Sequence, residues 1–349
     1  MIMTQLHMNH PLRIFWLSGL LTIALGILVL LYGSLASLWL YVVLVILEVT
    51  FSFDNAVINS KVLARMSPRW QMLFLTVGIF IAVFVVRFAM PIFIVMIAGQ
   101  TGFTQVIDMA LHHPDEYSHT LHEAAPAINA FGGAFLLMIG INYFMDRKKD
   151  IHWLGWIESR LAAADRWYFL KLAVMLILSA ILYATVDTDH RTTVLIACLA
   201  GIALHVGLGF IGSLFERKQN SHLTHQVGWA AFASFMYLNV LDASFSLDGV
   251  IGAFAITTDV LLIVAGLGAG ALWVRSLTIH LVRTNTLGKY RYLEHGAHWA
   301  ILALGMVMLA KLYHIELPEW IVGSLGLVFV VTAVVSSVIE KRRLHRIAK

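Results

Sequence analysis

Ten apolar runs, each at least 17 residues long, divide the 349-residue chain. A helix needs about 20 apolar residues, in a range that begins near 17, to cross the hydrocarbon core of a bilayer. Hydrophobic residues make up 60% of the chain and charged residues 13%, about half the usual share in soluble proteins. The sequence therefore predicts an all-α, polytopic membrane protein with about ten transmembrane helices. Their ranges are 14–33, 36–62, 70–98, 128–145, 168–186, 193–215, 228–254, 259–284, 296–312 and 319–340.

Lys and Arg residues lie almost entirely on one side of this arrangement. Twenty of the 24 fall on the side that carries both termini, Arg191 and Lys311 fall on the other side, and Arg87 and Arg275 lie inside spans. Cytoplasmic loops carry an excess of Lys and Arg, so we expect a multi-pass protein of the inner (plasma) membrane with both termini in the cytoplasm. Because the basic residues flank apolar runs and form no stripe, the lipid bilayer is the expected partner and nucleic acid is not.

Two acidic motifs lie near the middle of predicted spans. EVTFSFDNAV (48–57) and DASFSLDGVI (242–251) each contain a carboxylate, then Phe-Ser, then an Asp six residues after the first acid. A carboxylate in mid-bilayer costs roughly 2.5–3.5 kcal/mol, and such residues usually mark ion pathways. The matched pairs predict the two halves of one buried cation site. Its candidate ligands are Glu48, Asp54, Asn55, Asp242 and Asp248.

The spacing of the motifs predicts an internal repeat. The motifs are 194 residues apart, and Val86-Arg87 recurs as Val274-Arg275 at an offset of 188. We therefore divide the chain into five-helix halves, 1–187 and 188–349. Five is an odd number, so the second half enters the membrane inverted. Inverted halves are typical of secondary transporters, which bind substrate at the interface of the repeats.

A continuous helix would aim the two acids of one motif about 120° apart around its axis. We therefore expect broken motif helices, near 51–55 and near 245–249, where Gly249 and Asn55 tolerate unusual backbone. Ser52 and Ser246 are secondary candidates for metal ligands. A serine in a membrane helix more often bonds its own backbone.

The proposed ligands are oxygen atoms, which favour Mg²⁺, Ca²⁺ and Mn²⁺ over softer metals. Arg87 and Arg275 supply counter-charge, so four acids and two arginines carry a formal charge of −2, which one divalent cation would neutralise. Carboxylates of this kind also carry protons in transporters, so cation/proton exchange is a hypothesis.

Two further polar regions carry weaker signals. Glu294 and His298, one helical turn apart, suggest a gate or a proton relay, although an acid in a first turn also suits the helix dipole. The loop 99–127 has several His and acidic residues, which suggest either weak metal binding or a solvated polar loop.

The chain resembles the TerC-like family of integral membrane proteins, whose mark is an "E…FS.DN" segment repeated later as "D..FS.D". The resemblance covers roughly residues 36–312, and YRYLEHGAHW at 290–299 is similar to one branch of that family. It implies manganese export from the cytoplasm, or a role in tellurite resistance. By resemblance the ligand role falls on the five candidate residues above, although Gly249 stands where the first motif has Asn55.

Three classes of function remain in view. The first is a secondary transporter that exports a divalent cation, most simply Mn²⁺ and alternatively Ca²⁺ or another ion, with no prosthetic group. The second is an intramembrane aspartyl protease, which would have a Gly-x-Gly-Asp segment that neither motif contains. The third is a non-transporting scaffold or stress-resistance subunit, whose carboxylates would be dispensable. We expect that the protein is not an enzyme. The sequence leaves the oligomeric state open, and tight multi-carboxylate binding argues against a fast channel.

Overall fold

The computed structural model describes residues 11–146, 149, 151–164, 169–218, 225–254, 256–315 and 317–347. Over these ranges the regular secondary structure is helical, and one isolated bridge joins Met66 to Gln226. Among the described residues, eight helices are long and apolar enough to cross a membrane, and there are nine such spans if a bent pair of helices is counted as one span. The prediction of an all-α, polytopic membrane protein is confirmed.

The helices follow the predicted spans closely. The fifth predicted span, 168–186, differs: its helix, Leu170–Thr185, has 16 residues and is about 24 Å long, short of the roughly 30 Å bilayer core. The single-helix spans are Ile14–Tyr32, Ala125–Phe144, Arg191–Ile211, Gly228–Phe254, Val260–Arg283, Leu293–Lys311 and Ser324–Leu344. The span Pro68–Ile97 is built from the helices Pro68–Leu75, Val77–Phe80 and Met90–Ala98 and the π-helix Ile81–Ala89.

The chain forms two compact units. The first unit is Met1–Ala125 with Leu214–Thr284, and the second unit is Pro126–Ser213 with Asn285–Lys349. Each unit therefore draws helices from both predicted halves of the sequence. The halves 1–187 and 188–349 describe a repeat, which the units do not test, so the inverted repeat stays a prediction.

Both motifs lie in the first unit. The first motif helices are Leu35–Phe51 and Phe53–Ala64, and the second motif helix is Gly228–Phe254. The other helices of this unit include Pro11–Tyr32, the segments of the span Pro68–Ile97, Phe103–His112, Pro114–Glu123 and Val260–Arg283.

Glycines in the helix Val260–Arg283 let a first motif helix approach closely. A Cβ atom added at Gly266 would lie 2.5 Å from the Leu44 Cβ, and one at Gly270 would lie 2.5 Å from the Glu48 Cβ. Small residues four apart allow membrane helices to pack backbone against backbone. This close contact fixes the position of Glu48.

The predicted break is present in the first motif. The helices Leu35–Phe51 and Phe53–Ala64 are bent by 51° at Ser52, whose φ is −98° and ψ is 12°. The Ser52 hydroxyl donates to the Glu48 Oε1 at 2.9 Å, so it bonds a side chain at the bend. The backbone bonds Ser52 N to Glu48 O and Ala56 N to Ser52 O are kept, both at 3.0 Å.

The predicted break in the second motif is wrong. Gly228–Phe254 is one continuous helix through residues 245–249. A glycine inside a helix costs only about 1 kcal/mol relative to alanine. Gly249 and Gly252 therefore permit a break but do not impose one.

The second unit has its own packed core. It contains most of Ala125–Phe144 and of Arg191–Lys218, together with Gly155–Ala164, Leu170–Thr185, Thr286–Lys289, Leu293–Lys311 and Glu319–Ile347. A cluster that includes Ala130, Met175 and Cys198 is buried among these helices. Cys198 has no disulfide partner, as the sequence requires.

Candidate cation site

The first acid of the first motif is neutralised by an arginine. Glu48 is buried, and its Oε1 accepts hydrogen bonds from the Ser52 hydroxyl and from the Arg87 guanidinium, with which it forms an ion pair. Arg87 lies in the π-helix Ile81–Ala89 and also donates to the Ala82 carbonyl at 2.9 Å. A π-helix often marks a functional position in a helix.

The first acid of the second motif has an equivalent partner. The Asp242 Oδ2 accepts from the Arg275 guanidinium at 3.0 Å, and both side chains are buried. Arg275 also donates to the Phe74 carbonyl at 3.3 Å and lies over the Phe74 ring. The predicted counter-charge role of the two arginines thus takes the form of two ion pairs, each between an acid and an arginine of the same predicted half.

The two motifs face each other in a reciprocal way. The Asn55 amide, seven residues after Glu48, donates to the Asp242 Oδ1 at 3.0 Å. Gly249 lies seven residues after Asp242, and a Cβ atom there would lie 3.7 Å from the Glu48 Oε2. Each motif therefore places the same position against the first acid of the other, which is the pattern expected of segments related by a two-fold axis.

Several oxygen atoms at the motifs are buried without a hydrogen-bond donor. They are the Asp54 Oδ1, the Asn55 Oδ1 and the Ser246 Oγ. Among the described residues, no ion pair joins Asp54 to a basic side chain. Buried oxygens of this kind are rare in folded proteins, and an ion or a water molecule commonly explains them.

Part of the predicted site lies outside what the structure describes. Asp248 is on the second motif helix, but its side chain is not among those described. Within the described side chains, no three His, Cys, Asp or Glu residues converge as a metal site. The described acids Glu48 and Asp242 are engaged with arginines, so the predicted four-carboxylate shell stays a prediction.

Glu294 and His298 belong to the second unit. The His298 Nδ1 lies 2.8 Å from the Glu294 backbone oxygen, and its ring stacks on Tyr143 with centroids 3.5 Å apart. The helix Leu293–Lys311 brings the two residues together as their spacing predicts. Their role as a gate or relay stays a prediction.

A buried carboxylate that the sequence did not indicate lies beside them. Glu158 accepts from the His295 ring at 2.7 Å, from the Trp299 indole at 3.0 Å and from the Trp153 backbone at 2.9 Å. Burial raises the pKa of Glu158, but these hydrogen bonds outweigh it and hold the pKa below its ordinary value. Its helix, Gly155–Ala164, resembles a surface helix in sequence, and only the contacts with Leu293–Lys311 identify Glu158 as buried.

The acidic and histidine-rich loop forms two helices, Phe103–His112 and Pro114–Glu123. Exposed pairs join His112 to Asp108 at 2.8 Å and His119 to Glu123 at 3.5 Å. Each contact joins residues one turn apart on the same helix. This favours a solvated polar segment over a metal-binding one.

A family model described as "Protein of unknown function (DUF475)" matches residues 53–344 of the chain. No curated protein matches the chain. No solved structure matches it either. The matched range includes both arginines and the whole second motif, and it begins inside the first motif.

Proposed function

We propose a function from the site itself, because the chain belongs to the DUF475 family, whose function is unknown. The protein is a secondary transporter that exports a divalent cation, with Mn²⁺ as the first candidate, in exchange for protons. The cation binds in the first unit between the two acidic motifs. The resemblance to the TerC-like family supports the choice of manganese.

The observation that carries this proposal is the buried carboxyl group of Asp54, which forms no ion pair among the described residues. Glu48 with Arg87 and Asp242 with Arg275 are neutral pairs, whereas the buried Asp54 has an acceptor oxygen without a donor. An unpaired charge at bilayer depth is costly, so a cation that binds there is stabilised by the same electrostatics. In the proposed site, Asp54 and its counterpart Asp248 together supply two negative charges, which balance the charge of one divalent cation.

The chemistry of the neighbouring atoms fits a hard cation. The free acceptors at the motifs are carboxylate, amide and hydroxyl oxygens. Mg²⁺, Ca²⁺ and Mn²⁺ bind such ligands, whereas copper and zinc prefer sulfur or imidazole. The amide of Asn55 is oriented by its bond to Asp242, which leaves its oxygen free for the ion.

Transport into proteoliposomes tests the proposal. Purified protein is reconstituted with a pH-sensitive dye inside, and uptake of Mn²⁺, Ca²⁺, Mg²⁺ and Zn²⁺ is followed. We expect Mn²⁺ uptake with a matching pH change, and a loss of at least about tenfold in Asp54→Asn and Asp248→Asn. Asp189→Asn, which changes an exposed aspartate, is the matched control.

The scaffold alternative predicts a different result. Cellular manganese content would then be equal with and without expression, and in both aspartate variants. Wild-type liposomes that take up no divalent cation would contradict the transporter.

A further inference from the structure

Two buried asparagines extend the polar surfaces of the motif helices. Asn59 is 2% exposed and Asn239 is 5% exposed, and the amide oxygen of each has no hydrogen-bond partner. The Asn239 amide nitrogen donates to the Phe235 carbonyl at 2.7 Å, so the free atom of Asn239 is its oxygen. A buried acceptor oxygen without a hydrogen-bond donor destabilises the fold unless an ion or a water molecule binds to it.

Two contacts fix the relative direction of these helices. Asn55 contacts Asp242, and the bridge pairs Met66 with Gln226. Between these contacts, Phe53–Ala64 runs towards the bridge and Gly228–Phe254 runs away from it. The two helices are therefore antiparallel here.

This direction places both asparagines on the same side of the carboxylates. Asn59 is one helical turn after Asn55, and Asn239 is about one turn before Asp242. Each step leads from the Asn55–Asp242 contact towards the bridge. Beyond them, Leu63 and Leu238 pack in one apolar cluster.

We infer that Asn59 and Asn239 form a second cation subsite, one helical turn from the carboxylates, through which the ion passes. This inference rests on the proposed transport function. Two neutral amide oxygens bind a divalent ion weakly, because such ions prefer charged oxygens and keep part of their water. Weak binding next to a stronger site is what passage of an ion requires.

In the proposed orientation, the subsite lies on the cytoplasmic side of the carboxylates, where export begins. The bridge lies beside Lys61 and Arg65, and the positive-inside rule assigns this basic side to the cytoplasm. The amides therefore meet the ion before the carboxylates do. Their loss weakens capture of the ion and leaves the later steps intact.

Kinetics of Mn²⁺ transport in proteoliposomes test this inference. In Asn59→Leu and Asn239→Leu we expect KM for Mn²⁺ to rise about tenfold, with the maximal rate within about twofold of the wild type. Asn129→Leu is the matched control, because Asn129 is also a buried asparagine with a free amide oxygen but lies on a helix of the second unit. Its KM is expected to stay unchanged.

A second pair of variants guards against misfolding. Asn59→Asp and Asn239→Asp keep the size of the side chain and add charge, so KM is expected to fall several-fold. An unchanged KM for Mn²⁺ in the leucine variants would refute the subsite. If the leucine variants fail to fold, an unchanged KM in the aspartate variants would refute it instead. The free oxygens would then hold water only. If the subsite is refuted but Asp54→Asn still abolishes transport, the proposed transport function stands. If the wild-type protein transports no cation, both the subsite and the proposed function are refuted.

Discussion

At the scale of single residues, the site depends on two buried acid–arginine pairs. Glu48 with Arg87 and Asp242 with Arg275 lie almost wholly out of solvent. A buried pair adds little net stability, but removal of one partner leaves a charge that nothing compensates. The arginines therefore decide whether the acids are tolerated in the apo protein.

Removing either arginine should destabilise the protein strongly. We expect Arg87→Gln and Arg275→Gln to lose about 3–5 kcal/mol of unfolding free energy. Thermal unfolding of purified protein measures the change. The double variant Glu48→Gln/Arg87→Gln is the control, since it removes both charges and should recover most of the loss. Wild-type stability in both single arginine variants would show that the pairs are dispensable.

The Glu158 contacts give the second unit a defined response to acid. The pKa of Glu158 lies below its ordinary 4.5, so the ionised form is favoured in the folded state. Its stabilisation is complete above that ordinary value and is lost as pH falls through the lower folded pKa. Glu158→Gln should therefore melt below the wild type at pH 7, with the difference shrinking below pH 4.5. A constant difference across this range would refute the assignment.

At the scale of elements, one glycine-rich helix positions the first motif. Gly266 and Gly270 leave no room for a side chain against Leu44 and Glu48. Overpacking of a tight core contact costs about 1–3 kcal/mol. The position of Glu48 is thus set by the absence of side chains at Gly266 and Gly270 on the neighbouring helix.

Alanine substitutions separate this contact from helix propensity. Gly270→Ala should lower the unfolding free energy by about 1–3 kcal/mol and reduce transport, because it displaces Glu48. Gly207→Ala is the control: a Cβ there meets nothing within 4 Å, so the variant should be neutral or stabilised by up to about 1 kcal/mol. Similar behaviour of the two variants would contradict the close contact.

At the scale of the whole molecule, the reciprocal positions of Asn55 and Gly249 bear on the predicted repeat. If the two motifs are equivalent, an asparagine amide should function equally well at position 55 or at position 249. A Cβ atom at Gly249 would make only ordinary van der Waals contact with Glu48. The exchange of the two residues is therefore a test of equivalence.

We expect Asn55→Gly alone to reduce Mn²⁺ transport about tenfold, because Asp242 loses a hydrogen bond and the site loses an oxygen. The double variant Asn55→Gly/Gly249→Asn should recover to within about threefold of the wild type. Initial uptake rates in proteoliposomes, at equal reconstituted protein, measure both. No recovery in a folded double variant would argue that the motifs are not interchangeable.

Local patterns in the sequence extend beyond the two acidic motifs. Asn59 follows Asn55 by four residues and Asn239 precedes Asp242 by three, so helical periodicity already placed each beside its motif. The glycines at 266 and 270 are likewise a visible small-residue pattern. Glu158 offered no such signal, because an acid on a short amphipathic helix is usually solvated.

The sequence by itself determined the membrane class, the approximate spans, the two acidic motifs and the bend in the first motif. These follow from hydropathy over about 20 residues and from residues close together in the chain. Only the tertiary structure decided that Arg87 pairs with Glu48, that Asn55 meets Asp242 and that the second motif helix stays straight. The physical reason is that helical periodicity shows which residues share a face, whereas the partner of that face depends on packing between distant helices. Asn55 and Asp242, for example, are 187 residues apart in the chain.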